Sequence, residues 1–390
     1  MPSSLRILFV VGARPNFPKV APILAALREH ENVVGLLCHT GQHYDPELSG
    51  MFFEDLGITA PVKLLGVGSG THAQQTAAVM VKFEEHLHEV KPDAVVVVGD
   101  VNSTMACTIV ASKLHIRVAH VEAGLRSGDR SMPEEINRLV TDAIADRLYT
   151  HCREADNHLS HEGIAPHKVV FAGNVMIDSL LRLRPQASPP AQLASLDLPE
   201  QGYGLVTLHR PALVDSSDRF GPMLDALVEL SSELPLLYPV HPRSFNRLKG
   251  FGFLEAGAEL ADLPTFRGSN LRLCPSLRYL QFLWLMDRAR LVVTDSGGVQ
   301  EETTVLRVPC ITVRDNTERA VTIRDGTNQL VGVNPTAMLT AAREVLRSPG
   351  PSFDRVPELW DGRAGPRIAA DLVRWLRPSL SLVSGRVANA

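Results

Sequence analysis

The chain has 390 residues, too many for one ordinary domain and enough for two. Hydrophobic residues make up 45% and charged residues 21%, so both a full core and a solvated surface are available. The formal net charge of −4 argues against a nucleic-acid partner, which would require a basic excess.

Short β-branched runs alternate with longer helical patterns. In the first half, strands are predicted at 6–12, 33–41, 94–100, 117–124, 147–151 and 169–174, and helices at 18–29, 71–90, 102–114 and 133–145. The strand runs are apolar almost throughout, as expected for strands covered on both faces. A stretch at 183–201 is rich in Pro, Ala, Ser and Gln and reads as a linker with one short helix. The pattern then restarts with strands at 204–209, 235–241, 271–276, 290–296 and 310–315, and helices at 216–233, 278–288, 297–306 and 335–347. A last helix is expected at about 366–377, and a frayed tail at 379–390. Such alternation implies right-handed βαβ units and parallel sheets. The expected fold is therefore α/β, with two doubly wound Rossmann-like domains at 1–182 and 202–365.

Five cysteines, at 38, 107, 152, 274 and 310, show no CxxC spacing and read as reduced thiols. The N-terminal segment lacks the basic, apolar and small-residue pattern of a secretory signal. No apolar run reaches the ~18–20 residues of a membrane span. A cytoplasmic protein without a membrane partner is the expectation.

Ligands of doubly wound sheets bind outside the carboxyl ends of the strands. Gly12-Ala13-Arg14-Pro15, Gly99-Asp100, Glu122-Ala123-Gly124, His209-Arg210, His241-Pro242, Asp295-Ser296-Gly297-Gly298 and Arg314-Asp315 all follow predicted strands. The DSGG turn opens a helix whose free N–H groups would cradle a pyrophosphate, and Arg319 could add a charged contact; the plainer reading is a tight strand-to-helix turn. Arg14 and Lys19 follow the first strand; the plainer reading is a solvated surface pair. Asp100 and Glu122 end neighbouring apolar strands, where they would repel unless neighbours or protons compensate, so raised pKa values are expected. Such a pair supplies a general acid and a general base. Glu134 lies just inside a helix begun by Pro133; as a structural residue it would serve the helix dipole or pair with Arg138 four residues on. His209 closes the first strand of the second domain. No GxxxxGK[ST] occurs, GVGSG at 66–70 does not sit in the position of a dinucleotide fingerprint, and the histidines lack ligand spacing. No cofactor and no metal are expected.

The stretches GARPNFPK (12–19), VVGDVNST (97–104), HVEAGLRSGD (120–129), PEEINR (133–138), TLHR (207–210), YPVHP (238–242), YLQFLWLM (279–286), TDSGGVQEE (294–302) and RDNTER (314–319) occur in order along nearly the whole chain. Together they resemble the non-hydrolysing UDP-N-acetylglucosamine 2-epimerases. The resemblance implies a fold of the GT-B type, its two domains facing across a cleft that holds UDP, with the last helix completing the first domain. It also implies a UDP-sugar substrate, a homodimer, and Asp100, Glu122, Glu134 and His209 as the catalytic set. Arg14, Lys19, Arg138, Phe282, Ser296, Gly297, Gly298, Glu302 and Arg319 are implied to hold the nucleotide and its phosphates, with Phe282 beside the uracil. Gln42, His43 and His241 match parts of a candidate effector site. Asn16 stands where the family often has Glu, Leu277 where it often has Gln, and Pro211 where many bacterial members carry a second Arg tied to an activating substrate molecule. An epimerase of a related diacetamido uronic sugar, a GT-B glycosyltransferase or hydrolysing relative, and a non-catalytic UDP-sugar sensor are the alternatives.

Overall fold

A computed structural model describes residues 4–41, 56–58, 63–196, 198–254, 259–262, 264–348 and 356–377. The chain divides into two compact units, Met1–Ser179 with Asp361–Ala390, and Leu180–Trp360. Among the described residues, no helix is long and apolar enough to cross a membrane.

The first unit is built on a seven-stranded sheet: β1 (Leu5–Val11), β2 (Val33–His39), β3 (Lys63–Leu64), β4 (Ala94–Val98), β5 (Arg117–Val121), β6 (Arg147–Thr150) and β7 (Val169–Phe171). Every pairing is parallel, in the order β3-β2-β1-β4-β5-β6-β7. All five residues of β4 are buried, which fits a strand covered on both faces. The helix His72–Val90 opens with a capping box between Thr71 and Gln74 and ends at Lys91 in the left-handed conformation.

The helix Ala364–Leu376 belongs to this unit although it lies near the end of the chain. Asp178 caps its start, accepting hydrogen bonds from the Ala364 and Gly365 backbone N–H groups at 3.1 and 2.6 Å. Asp371 receives both arms of Arg147 at 2.8 Å and the Tyr149 hydroxyl at 3.0 Å. Gly365 lets the helix approach the helix Phe17–Leu27 closely, since a Cβ there would lie 2.7 Å from the Pro22 carbonyl carbon.

The second unit carries a six-stranded sheet of β8 (Gly204–Thr207), β9 (Leu236–Pro239), β10 (Leu271–Cys274), β11 (Leu291–Thr294), β12 (Cys310–Thr312) and β13 (Asn328–Leu330). Its order is β10-β9-β8-β11-β12-β13, again all parallel. The helices Ser217–Ser231 and Pro335–Arg347 cover the sheet with Phe220, Met223, Leu227, Met338 and Ala342, all fully buried. The Pro-rich stretch read as a linker forms two 3₁₀ turns, Arg184–Gln186 and Ala191–Leu193. Arg184 forms a two-armed pair with Asp287 at 2.9 Å.

The strands end one to three residues before the predicted ends, because the polar and glycine residues that follow leave the sheet. Strands β3 and β13, and the helices Arg153–His161, Val175–Leu183 and Pro242–Gly250, are additions to the sequence reading. Gly365→Ala is expected to destabilise the protein by about 1–3 kcal/mol through overpacking against Pro22. Denaturant unfolding followed by circular dichroism checks this; an unchanged midpoint would remove the close approach from the account.

Candidate active site

In each sheet the chain reverses its direction of growth once. In the first unit this happens between β1 and β4, and in the second between β8 and β11. Such switch points open a crevice at the carboxyl ends of the strands. The candidate residues cluster at these two places.

In the first unit, β1 runs into Gly12 and a turn at Arg14–Asn16. The Asn16 carboxamide oxygen accepts from the Gly12 and Ala13 backbone N–H groups at 2.9 and 3.0 Å, and its nitrogen donates to the Val98 carbonyl at 3.3 Å. Asn16 thus ties the end of β1 to the end of β4, work that a glutamate could not do as a donor. Lys19, one turn into the next helix, is buried and forms an ion pair with Glu122. Glu122 itself has φ of 72°. A residue with a side chain held there costs about 1–3 kcal/mol and persists only when its surroundings enforce it. Here the backbone N–H groups of Glu122 and Ala123 both donate to the Tyr149 carbonyl, at 3.1 and 3.0 Å.

Asp100 leaves the end of β4 beside Glu122, because Val98 pairs with Val121. Its carboxylate accepts from Arg138 at 2.5 Å. Arg138 is 1% exposed and gives its other nitrogens to Glu135 at 3.0 and 2.5 Å. The plainer reading of Glu134 as the ion-pair partner of Arg138 does not hold: Arg138 takes Glu135, three residues away, instead. Burial alone would raise the Glu135 carboxyl, but the Ser127 and Gly128 N–H groups and Arg138 outweigh it and hold the group low. Glu134 is half-buried at the start of the same helix and has no hydrogen-bond or ion-pair partner among the described residues. Each strand-end carboxylate therefore meets a cation, Lys19 or Arg138, the two residues that the resemblance gives to the nucleotide. The side chain of Arg14 lies outside the described residues, as do Gln42 and His43.

In the second unit, Asp295 is fully buried at the end of β11. One carboxylate oxygen accepts from the backbone N–H groups of His209 and Arg210, both at 2.8 Å, and the other lies 3.1 Å from His209 Nδ1. The sequence reading gave Asp295 to the phosphate turn; its part in aiming His209 follows from the pairing of Thr294 with Thr207, which brings the two strand ends together. The His241 ring stands 5.6 Å from that of His209 and its Nδ1 accepts from the Arg243 N–H at 3.2 Å. Pro211 begins the short helix Pro211–Val214.

Ser296 precedes the helix Gly297–Leu306, whose first N–H groups lack carbonyl partners within the helix. A Cβ on Gly297 would lie 2.7 Å from Nη1 of Arg319, so glycine is needed for the guanidinium to pack there. Arg319 is 8% exposed, with Nε 3.1 Å from Glu301 and a second pair to Glu318. Burial would raise the Glu318 carboxyl; Arg319 and Arg314 outweigh it and hold it well below the usual carboxylate range. Phe282 is half-buried on the helix Tyr279–Arg288. Glu302 accepts from the Tyr279 hydroxyl at 2.7 Å, and burial pushes its carboxyl up to about 7.

Comparison with known proteins then decides the family. The family model described as UDP-N-acetylglucosamine 2-epimerase matches residues 25–373. The chain belongs to that family. It is 39% identical over 347 residues to the UDP-N-acetylglucosamine 2-epimerase of Methanocaldococcus jannaschii, covering 88% of this chain and 92% of that protein. It is 38% identical over 374 residues to the UDP-2,3-diacetamido-2,3-dideoxy-D-glucuronate 2-epimerase of Pseudomonas aeruginosa, covering 95% of this chain and 100% of that one. The crystal structure of the Methanocaldococcus jannaschii UDP-GlcNAc 2-epimerase in complex with UDP-GlcNAc and UDP matches with a TM-score of 0.84 at 37% identity, over 95% of this chain and 100% of that one. Membership of this epimerase family agrees with the two Rossmann-like units and with the order of the motifs.

Glu302 makes a pH-dependent contribution to stability. Its folded pKa of about 7 lies above the ordinary 4.5, so the fold resists its ionisation. That penalty is absent below pH 4.5, grows as pH rises toward 7, and is then constant. Glu302→Gln is therefore expected to raise Tm relative to wild type above pH 7, with the difference shrinking toward pH 4.5. Scanning calorimetry across this range checks it; a difference that is flat with pH would contradict the assignment.

Proposed function

We propose that the chain is a non-hydrolysing UDP-N-acetylglucosamine 2-epimerase that interconverts UDP-N-acetylglucosamine and UDP-N-acetylmannosamine. One observation carries the reading: a chain of this family presents Asp100 and Glu122 at adjacent strand ends, each beside a buried cation. The C2 hydrogen of the sugar is not acidic, because no carbonyl adjoins that carbon in the ring. Deprotonation must therefore accompany loss of the anomeric substituent. A base takes the C2 proton as the C1–O bond breaks, giving 2-acetamidoglucal and UDP. UDP then adds back to C1 through any one of its terminal β-phosphate oxygens, which rotation makes equivalent, while a proton arrives at C2 on the opposite face.

The second unit supplies the hold on UDP. The helix start at Ser296, Gly297 and Gly298, together with Arg319, favours the charge that develops on the leaving diphosphate. Glu302 and Phe282 serve the nucleoside, and Arg14 adds a phosphate contact. The first unit supplies the proton acceptor and donor from Asp100, Glu122 and Glu134. His209, aimed by Asp295, touches the substrate. Lys19 and Arg138 keep their places in the site as the cations of Glu122 and Asp100. The catalytically active form is a homodimer in this reading, and no cofactor takes part. The diacetamido glucuronate epimerase named above, matching over 95% of the chain, supports that sugar as a second candidate substrate.

Incubation with UDP-N-acetylglucosamine in D₂O is expected to yield UDP-N-acetylmannosamine with deuterium at C2, read by proton NMR. Free N-acetylmannosamine as the only product, or product without deuterium, would overturn the reading. Parallel incubation with the diacetamido glucuronate substrate separates the two candidate sugars. Glu134→Gln is expected to lower kcat about 10²–10⁴-fold, the usual size of a general acid–base contribution. Near-normal turnover would remove Glu134 from the proton-transfer set.

A further inference from the structure

His120 and Asp142 are both fully buried, and neither belongs to any role described so far. His120 sits in β5, two residues before Glu122. Its Nδ1 lies 2.6 Å from Asp142 Oδ1, and its Nε2 lies 2.8 Å from the Gly99 carbonyl oxygen. Both partners are acceptors, one facing each ring nitrogen. The second oxygen of Asp142 accepts from the Gly124 N–H at 3.0 Å and lies 2.8 Å from Arg126 Nη1. Burial would raise the Asp142 carboxyl, but His120 and Arg126 outweigh it and hold the group low.

The backbone ends of this network are the informative part. Gly99 immediately precedes Asp100, and Gly124 follows Glu122 by two residues. Both glycines adopt positive φ, 67° and 79°, and so sit in turns that have few intrinsic preferences. A Cβ on Gly99 would lie 3.0 Å from Lys19 Nζ and 3.4 Å from Glu122 Oε2, so this backbone touches the paired charges directly. Replacing a sealed polar network of this kind by apolar side chains is often neutral or stabilising, so stability alone is a weak reason for it.

We propose that His120 and Asp142 form a positioning pair for the C2 proton transfer, the two linked side chains together bridging the loops that carry Asp100 and Glu122. The pair acts through those carboxylates and does not touch substrate. The proposal rests on the epimerase reading given above. A shift of about 1 Å in a reacting group can cost about 10²-fold in rate, so fixing two loops at once is a direct lever on kcat.

The test uses the purified full chain with His120→Asn and Asp142→Asn. Turnover is measured with UDP-N-acetylglucosamine carrying hydrogen or deuterium at C2, and folding is checked by circular dichroism. The expected result is a kcat lowered about 10–100-fold, KM within about threefold of wild type, and a larger deuterium isotope effect, because proton transfer becomes more fully rate-limiting. Turnover within about twofold of wild type, or a loss with an unchanged isotope effect, overturns the positioning role. If neither variant folds, Arg126→Gln at the rim of the network decides: a smaller kcat loss with the same rise in isotope effect supports the role, and an unchanged isotope effect overturns it. A wild-type chain that epimerises neither candidate sugar overturns the functional reading itself, and this inference with it.

Discussion

A carboxylate at the end of a buried strand loses its water, a cost on the order of several kcal/mol unless a cation or N–H donors replace the hydration. Glu122 is 7% exposed, and the first unit is arranged around meeting that requirement. Lys19 reaches it from the helix after β1, and the Tyr149 carbonyl takes the N–H groups of the strained Glu122–Ala123 backbone. Asp100, half-buried just past the end of the neighbouring strand, is met in the same way by Arg138. The parallel sheet sets these strand ends side by side, and the helices that cross between strands bring the cations. The site's electrostatics thus follow from the connectivity of the fold.

The second unit solves the opposite problem. Its buried arginines need acids beside them, as the buried acids of the first unit need cations. Arg319 is held by Glu301 and Glu318 and lies flat against Gly297. Asp295 uses both oxygens on the chain after β8, one on two backbone N–H groups and one facing His209. In both units a buried acid orients the groups around it, so the loops at the switch points are fixed by charge as well as by packing.

The sheets were legible in the sequence because strands covered on both faces are apolar without interruption. Strand ends were overestimated where Gly99, Asp100 and Glu122 extend the run in sequence but have already left the ladder. Two residues, Lys63 and Leu64, give no period at all, so β3 was invisible. The helix Arg153–His161 buries only Ala155 and Leu159 and shows no apolar stripe. The strand-end acids Asp100 and Glu122 could be named from their positions after apolar runs. Which cation serves which acid could not, because Lys19 and Glu122 are 103 residues apart and Arg138 and Asp100 are 38 apart. Local spacing suggested Glu134 for Arg138, whereas the guanidinium turns back to Glu135, which Ser127 and Gly128 hold in place.

In the proposed elimination and re-addition, the bond between C1 and the diphosphate breaks and re-forms at every epimerisation. Positional isotope exchange tests this most directly: UDP-N-acetylglucosamine is made with oxygen-18 in the bridge between C1 and the β-phosphorus. The label is expected to spread into the non-bridging oxygens of the β-phosphate on the timescale of epimerisation, as seen by phosphorus NMR. Epimerisation that leaves the label wholly in the bridge would contradict the elimination route.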